Sequence, residues 1–380
     1  MLLFAFAASI ALTAFAYFGY PLVIAVWARI APKPPRRDAY TPAVTIIVVG
    51  HNEAHTIRAK IESCLGQSYP PAKLGVLVVS DGSTDETATI VRGMGARVRL
   101  LAFTERRGKA ACLNDAMNAC QDEIVVLSDA RQPLDPRAVA CLLENFADRA
   151  VGAASGELCL RTDDTTGFGE GIDAYWRYEK FIRKQESTVA STVGVTGALY
   201  ALRRALWRPI PPQTILDDVL IPMNVVLQGY RVLFDNRALA WDRPSASPSH
   251  ERLRKVRTLA GNFQLLALRP GLLLPWRNPI FVQFFCHKVL RLLVPVFLVS
   301  AMICNFVLAL RSNAWAMVLT AHVGGYGLAI AGALAPKLCR WLPVKLATTF
   351  LLLNCFVVLG FIDFVRNKNA HLWRTHGSAA

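Results

Sequence analysis

Residues 2–28 contain no charged side chain. A run of that length exceeds the ~20 residues needed to cross ~30 Å of hydrocarbon, so its stable environment is a bilayer. Three further charge-free stretches follow, Leu292 to Leu310, Ser312 to Pro336 and Leu346 to Ile362. One charge at a helix centre costs ~2.5–3.5 kcal/mol on insertion scales, and uninterrupted runs of this kind predict spans. A cleaved signal peptide is the competing reading of the first run, but it requires a basic leading region and a shorter apolar core, and neither is present. Because the apolar content sits at the two ends, the segment between them reads as one soluble domain. The organisation expected is a transmembrane helix at 1–29, a catalytic domain at 42–250, amphipathic interface helices at 251–288, transmembrane helices at 289–365 and a tail at 366–380.

Lys33, Arg36 and Arg37 follow the first run, and Lys288, Arg291, Lys337, Arg340 and Lys345 flank the later ones. By the positive-inside rule the region from 30 to 290 faces the cytosol, which puts the protein in a cytoplasmic (inner) membrane as a multi-pass chain. Four full spans then leave the C-terminus outside, whereas Arg366, Lys368 and Arg374 favour the inside. A re-entrant or interfacial stretch would reconcile the two, and Ser312 to Pro336, weakened by glycines and Pro336, is the place for it. The parity stays open. The net charge is +15. Much of it lies beside the spans or in Arg252 to Arg257, so membrane lipids are the expected partner and nucleic acid is not. Nine cysteines are scattered without a CxxC pair, which reads as reduced, buried thiols.

The soluble segment opens with a near-continuous β-branched run, Ala43 to Val49, ending at Gly50 and His51-Asn52-Glu53. It predicts a buried parallel strand leading into a loop and a helix. The same unit repeats as Val76 to Ser80, Asp81-Gly-Ser-Thr-Asp85 and a helix from Glu86 to Met94. Val98 to Ala102 and Ile124 to Leu127 add two more strands, and the alternation predicts a doubly wound, mostly parallel α/β sheet. Beyond residue 150 longer loops are expected. They surround an amphipathic helix near Ile172 to Lys184, whose Tyr175, Trp176 and Tyr178 read as packing. Pro-rich loops at 208–212 and 243–248 precede a basic helix, Arg252 to Leu268, suited to the membrane surface.

Four acids fall at strand ends or on loops of this pattern: Asp81, Asp129 and the adjacent Asp217 and Asp218. Carboxylates at the carboxyl edge of a parallel sheet face the crevice where such folds bind ligands. Transfer of a sugar from a nucleoside diphosphate needs a grip on the nucleoside, neutralisation of the departing diphosphate and a base for the acceptor hydroxyl. Asp81, Asp129 and Asp218 suit these tasks in that order. Each also has a plainer reading, as turn, N-cap or helix-start residue. His51 and His55 bracket Glu53, but a zincin site needs the glutamate directly after the first histidine.

The set His51-Asn-Glu53, Asp81-Gly-Ser-Thr-Asp85, Gly108-Lys109-Ala110 with Asn114, Ser128-Asp129-Ala130-Arg131, Thr196-Gly197-Ala198, Asp217-Asp218 and Glu251-Arg-Leu-Arg254 resembles the membrane-bound family 2 glycosyltransferases. These inverting enzymes of GT-A fold include the synthases of cellulose, chitin, hyaluronan and poly-N-acetylglucosamine. The resemblance covers roughly residues 42 to 268 and implies a Rossmann-like GT-A domain carried by transmembrane helices. It implies that His51, Glu53, Asp81, Lys109, Asn114, Asp129, Arg131, Thr196 and Gly197 bind the nucleotide-sugar. It further implies that Asp129 holds Mg²⁺ or Mn²⁺ and that Asp218, with Asp217 and Arg254, carries catalysis. Glu251, Arg254 and Lys255 fall where the family has QxxRW, at the acceptor or diphosphate.

Two departures stand out. The DxD motif is here Asp129-Ala130-Arg131, so a cation replaces the second carboxylate; Arg131 either neutralises phosphate or points away, and His250 is a further ligand candidate. The QxxRW tryptophan is also missing, which counts against long processive synthesis more than against transfer. The expected function is transfer from a nucleotide-sugar, a UDP-sugar by preference, to a growing polysaccharide at the cytoplasmic face of the membrane. The alternatives are a single addition to a lipid-linked acceptor, and an inactive scaffold among the subunits of an export complex.

Overall fold

A computed structural model describes residues 1–160, 169–242, 248–367 and 372. The chain divides into two compact units, one built chiefly from Met1–Val23, Ser249–Phe263 and Val282–Arg366, the other from Ile24–Pro248 and Gln264–Phe281.

The second unit is organised by a seven-stranded sheet. Its strands are β1 (Val44–Gly50), β2 (Leu74–Asp81), β3 (Val98–Phe103), β4 (Ile124–Asp129), β5 (Val151–Leu160), β6 (Tyr200–Arg203) and β7 (Arg231–Asp242). The order is β3-β2-β1-β4-β6-β5-β7. β1 pairs in parallel with both β2 and β4, β2 with β3, and β5 with β7, whereas β6 runs antiparallel to β4 and β5. Every residue of β1 is buried, as its β-branched sequence requires of a strand covered on both faces. Val44, Ile46 and Val48 of this strand share a core with Ile57 and Ile61 of the helix Ile57–Leu65 and with Val139 and Leu142 of the helix Ala138–Glu144.

The chain passes from β1 to β2 and β3 on one side and places β4 on the other. The loops after β1 and β4 therefore part at a topological switch point, where a crevice opens at the strands' carboxyl ends. The four expected strands are present, and β5, β6 and β7 extend them on the β4 side. The helix expected over Glu86 to Met94 is shorter, Thr87–Arg92. Next to it Asp85 accepts hydrogen bonds from the Thr87 and Ala54 amides, each at 3.0 Å, the turn and cap role that its position allows.

Two positions in this unit carry a physical demand. Gly82 has φ +62, and a Cβ there would stand 2.6 Å from the Arg106 nitrogen, so only glycine lets the β2 loop lie against the loop before Gly108. Lys60, on the helix behind β4, is 1% exposed. Its Nζ donates to Ser128 Oγ and to the Gln132 carbonyl, both at 2.6 Å, and so grips the turn carrying Asp129 from either side. Burial pushes its pKa below the ordinary lysine value, and nearby Cys64 and Asp129 offset this only in part.

Among the described residues four helices, chiefly in the other unit, are long and apolar enough to cross a membrane: Leu2–Ile30, Phe281–Ala309, Asn313–Leu334 and Leu342–Arg366. Small residues let them approach closely. Ser9 Oγ lies 3.1 Å from Ser300 Oγ, and a Cβ on Gly332 would meet Val344 Cγ1 at 2.7 Å. The helix Asn313–Leu334 runs unbroken through Gly324, Gly325 and Gly327, so the re-entrant break expected within Ser312 to Pro336 does not occur. The next span begins at Phe281 rather than near 289, because the helix accommodates Lys288 and Arg291 in its first turns. The basic segment forms one continuous helix, Pro248–Leu268.

Gly82→Ala is expected to lower the thermal midpoint of the solubilised protein by several degrees, the equivalent of ~1–3 kcal/mol of backbone strain. Gly95→Ala also has positive φ, +88, but meets nothing within 4 Å and should cost less in the same melt. For Lys60 the sign follows from its lowered pKa: the charged form is favoured by the unfolded chain, so a penalty present near neutrality fades as pH rises toward 10.5. Wild-type protein should therefore gain stability relative to Lys60→Met between pH 7 and 10, and a midpoint difference that stays constant over this range would contradict the assignment.

Candidate active site

Asp81 ends β2 and is fully buried. Its Oδ1 accepts the Arg107 amide at 2.7 Å and its Oδ2 the Gly108 amide at 2.9 Å. Through these two bonds the carboxylate shapes the loop that delivers Lys109. His51 Nδ1 lies 2.6 Å from the Asp81 carbonyl, which fixes the ring at the end of β1. Gly108, at φ +91, turns the chain into the helix Lys109–Ala119.

Lys109 Nζ is the centre of the site. It lies 2.8 Å from Asp129 Oδ1 at the end of β4 and 3.0 Å from Asp217 Oδ2 at the start of the helix Asp217–Val226. The first contact is an aligned hydrogen bond; Asp217 Oδ2 is close enough for an ion pair but lacks hydrogen-bond alignment and is otherwise unpartnered. Burial opposes the charge on Asp129, yet Lys109, helped by Lys60 and Arg131, outweighs it and holds the carboxyl below the ordinary range. Burial likewise opposes the charge on Lys109, and Asp129 and Asp217 overcome it, keeping the ammonium protonated well above the usual lysine value.

Tyr200, the first residue of β6, is 1% exposed and its hydroxyl has no hydrogen-bond partner. Burial, then the Asp217 carboxylate, keeps this phenol protonated. Gly197 borders the cluster: a Cβ there would stand 3.2 Å from Asp129 Oδ2 and 3.5 Å from Lys109 Nζ. The loop bearing it is pinned by the Thr196 amide, which donates to Ser155 Oγ at 3.0 Å, and by the Val195 amide, which donates to the Asp218 carbonyl at 2.9 Å. Glu53 is linked to Thr56, whose hydroxyl donates to Glu53 Oε2 at 2.7 Å. Burial raises its pKa, with Thr56 and Arg131 only partly offsetting, while Arg131 itself is exposed.

The Asn114 side-chain amide donates to the Ile210 carbonyl at 2.8 Å and accepts the Ile210 amide at 3.1 Å, so it secures the loop leading to Asp217. Glu251, Arg254 and Lys255 lie in the other unit, where Arg254 stands 2.8 Å and Lys255 4.0 Å from the Glu251 carboxylate. The side chains of His250 and Tyr175 lie outside the described residues. The sequence reading missed Lys60 and Tyr200; a lysine inside the apolar pattern Ile57, Ile61, Cys64 was the available signal for the first.

Among the described residues no three His, Cys, Asp or Glu side chains gather as a metal group. Mg²⁺ and its like are commonly held by one or two carboxylates with substrate phosphates supplying the rest. Asp129 and Asp217, facing a common cation, fit that pattern.

Residues 45–208 match the model described as glycosyl transferase family 2. A poly-beta-1,6-N-acetyl-D-glucosamine synthase of Staphylococcus aureus is 25% identical over 222 residues, 55% of this chain and 52% of that protein. The chain thus spans about half the length of the curated relatives it matches. Mannosyltransferase PcManGT from Pyrobaculum calidifontis, solved in complex with GDP-Man and Mn²⁺, is 26% identical and superposes with a TM-score of 0.70 over 96% of this chain and 99% of that one. The switch point that gathers Lys109, Asp129 and Asp217 belongs to a GT-A sheet, and residues 45–208 within it carry a glycosyl transferase family 2 domain.

Proposed function

We propose that this glycosyltransferase passes a sugar from a nucleoside diphosphate to an acceptor hydroxyl by one in-line displacement with inversion. The observation that carries the reading is the convergence of Asp129, Lys109 and Asp217 at the switch point, with Asp218 next along the same helical turn. Asp218 takes the proton of the acceptor hydroxyl as it attacks the anomeric carbon. Lys109 and Arg254 balance the charge that grows on the departing diphosphate. A divalent cation held at Asp129 adds Lewis-acid neutralisation at the β-phosphate oxygen when bound. His51, Glu53, Arg131, Thr196 and Gly197 line the donor, and Glu251 and Lys255 the acceptor or diphosphate.

A UDP-sugar is the proposed donor, on the resemblance to polysaccharide synthases. The GDP-Man held by PcManGT makes a guanosine donor its direct competitor. The proposed acceptor is a growing polysaccharide at the cytoplasmic face, with export-complex subunits as partners. A single addition to a lipid-linked acceptor is the second reading, favoured by Lys255 standing where the family's tryptophan belongs. The four apolar helices support a multi-pass membrane protein, and the basic residues beside them favour a cytoplasmic membrane with the region from 30 to 290 in the cytosol.

Asp218→Asn is expected to lower donor turnover by ~10²–10⁴-fold, measured as released nucleoside diphosphate, with nucleotide binding retained. Turnover within tenfold of wild type would exclude the base assignment. Product analysis with UDP-N-acetylglucosamine and GDP-mannose decides donor and acceptor mode together, since a ladder marks a polymer and one added sugar marks the lipid-linked route. A reporter enzyme active only outside the cytosol, fused after Ala380, should be active; an inactive fusion at normal abundance overturns the four-span topology.

A further inference from the structure

The Asp-Ala-Arg turn lacks the second carboxylate that a cation site in this position would draw from the chain. The structure brings another one to the same place. Asp129 Oδ1 and Asp217 Oδ2 approach one nitrogen at 2.8 and 3.0 Å, so the two oxygens stand no more than 5.8 Å apart. A Mg²⁺-sized ion with ligands at ~2.0–2.1 Å bridges oxygens up to ~4.2 Å apart, a closure that modest side-chain rotation supplies. Lys109 Nζ now fills that position.

Two independent features show that the cluster is built for more than an internal ion pair. The Tyr200 hydroxyl, 1% exposed and without a hydrogen-bond partner, is buried beside Asp217, Lys109 and Asp129. A buried donor left unpaired there is destabilising, and an arriving oxygen of a ligand or its water would satisfy it. Gly197 leaves the cluster uncovered on one side, since a Cβ would stand 3.2 Å from Asp129 Oδ2 and 3.5 Å from Lys109 Nζ.

We propose that Asp129 and Asp217 together hold the divalent cation, that Lys109 occupies their shared position in the nucleotide-free protein, and that the cation enters only with the nucleoside diphosphate, whose phosphates receive Lys109 in exchange. The proposal rests on the donor reading above. Its logic is charge balance. Two carboxylates and one ammonium leave a single negative charge, and a divalent ion added beside Lys109 meets a like charge at contact distance. When a diphosphate arrives with the ion, the ammonium finds new acceptors and the carboxylates are released to the metal. Asp217 thereby replaces the missing acid of the turn, and Arg131 is left free to face solvent.

The test is Mn²⁺ binding to the full-length protein in detergent, read from the electron paramagnetic resonance signal of free Mn²⁺. Wild-type protein should bind Mn²⁺ at least ~10-fold more tightly with saturating UDP or GDP than alone. Lys109→Met should bind Mn²⁺ alone ~10-fold more tightly than wild type, and adding Asp217→Asn should remove that gain. Lys109→Gln provides the same comparison where the methionine variant does not fold, and the wild-type titration needs no variant. Equal Mn²⁺ affinity with and without nucleotide, or an Asp217→Asn protein that keeps wild-type affinity, overturns the proposal. Nucleotide binding is measured separately. Failure of both UDP and GDP to bind at saturating Mn²⁺ defeats the donor reading, and the nucleotide-free Lys109 and Asp217 titrations still decide whether the cation position exists.

Discussion

One ammonium group holds three distant segments together. Lys109 begins a helix, Asp129 ends a strand and Asp217 begins another helix, and their side chains meet within 3.0 Å of a single nitrogen. Breaking a buried pair by removing one partner costs ~3–5 kcal/mol, chiefly because the remaining charge is stranded. Asp129 is partly open to solvent, so its share is smaller, while Asp217 is 7% exposed and depends on Lys109 more fully. Lys109 and Asp129 hold each other in ionised form.

The surrounding scaffold delivers the two ends of this pair. Asp81 reads as a ligand contact in sequence, and in the structure it presents Lys109: its carboxylate gathers the amides of Arg107 and Gly108, and the helix starts one residue later. Asn114 does the corresponding work for Asp217 by bonding both backbone groups of Ile210. Lys60 secures the third member through Ser128 and Gln132. Each of these polar groups is spent on backbone or on a residue flanking a charged one, the support that keeps a charged constellation in place.

Strands β1, β2 and β4 were legible as apolar runs rich in β-branched residues, β3 by its place in the alternation, and the parallel sheet followed from that alternation with helices. The three further strands were not. Tyr200–Arg203 has only four residues, and β5 pairs with β7 through register shifts, so neither presents a clean run or period. The acids were found by type and position, but sequence cannot tell a carboxylate aimed at a ligand from one aimed at an amide two loops away. In the structure Asp129 meets the Lys109 ammonium and Asp81 two amides, a difference set by where the loop before Gly108 falls. Within Ser312 to Pro336 the glycines weakened the helical signal, yet the helix Asn313–Leu334 runs through them, and of these glycines only Gly332 packs closely, against Val344 and Thr348.

The adjacency of Asp217 and Asp218 divides their labour. Successive residues on a helix point ~100° apart, so the two carboxylates cannot face the same atom. Asp217 turns inward to Lys109; Asp218 is less buried, and its carbonyl anchors the Val195 amide of the loop that carries Gly197. Both sit in the first turn of the helix, where the aligned peptide dipoles favour negative charge and fix it more firmly than a mobile turn does. A second carboxylate within the Asp-Ala-Arg turn would be set by local geometry alone. Asp217 is instead held on a helix that is itself tied, through the Asp218 carbonyl, to the loop carrying Gly197.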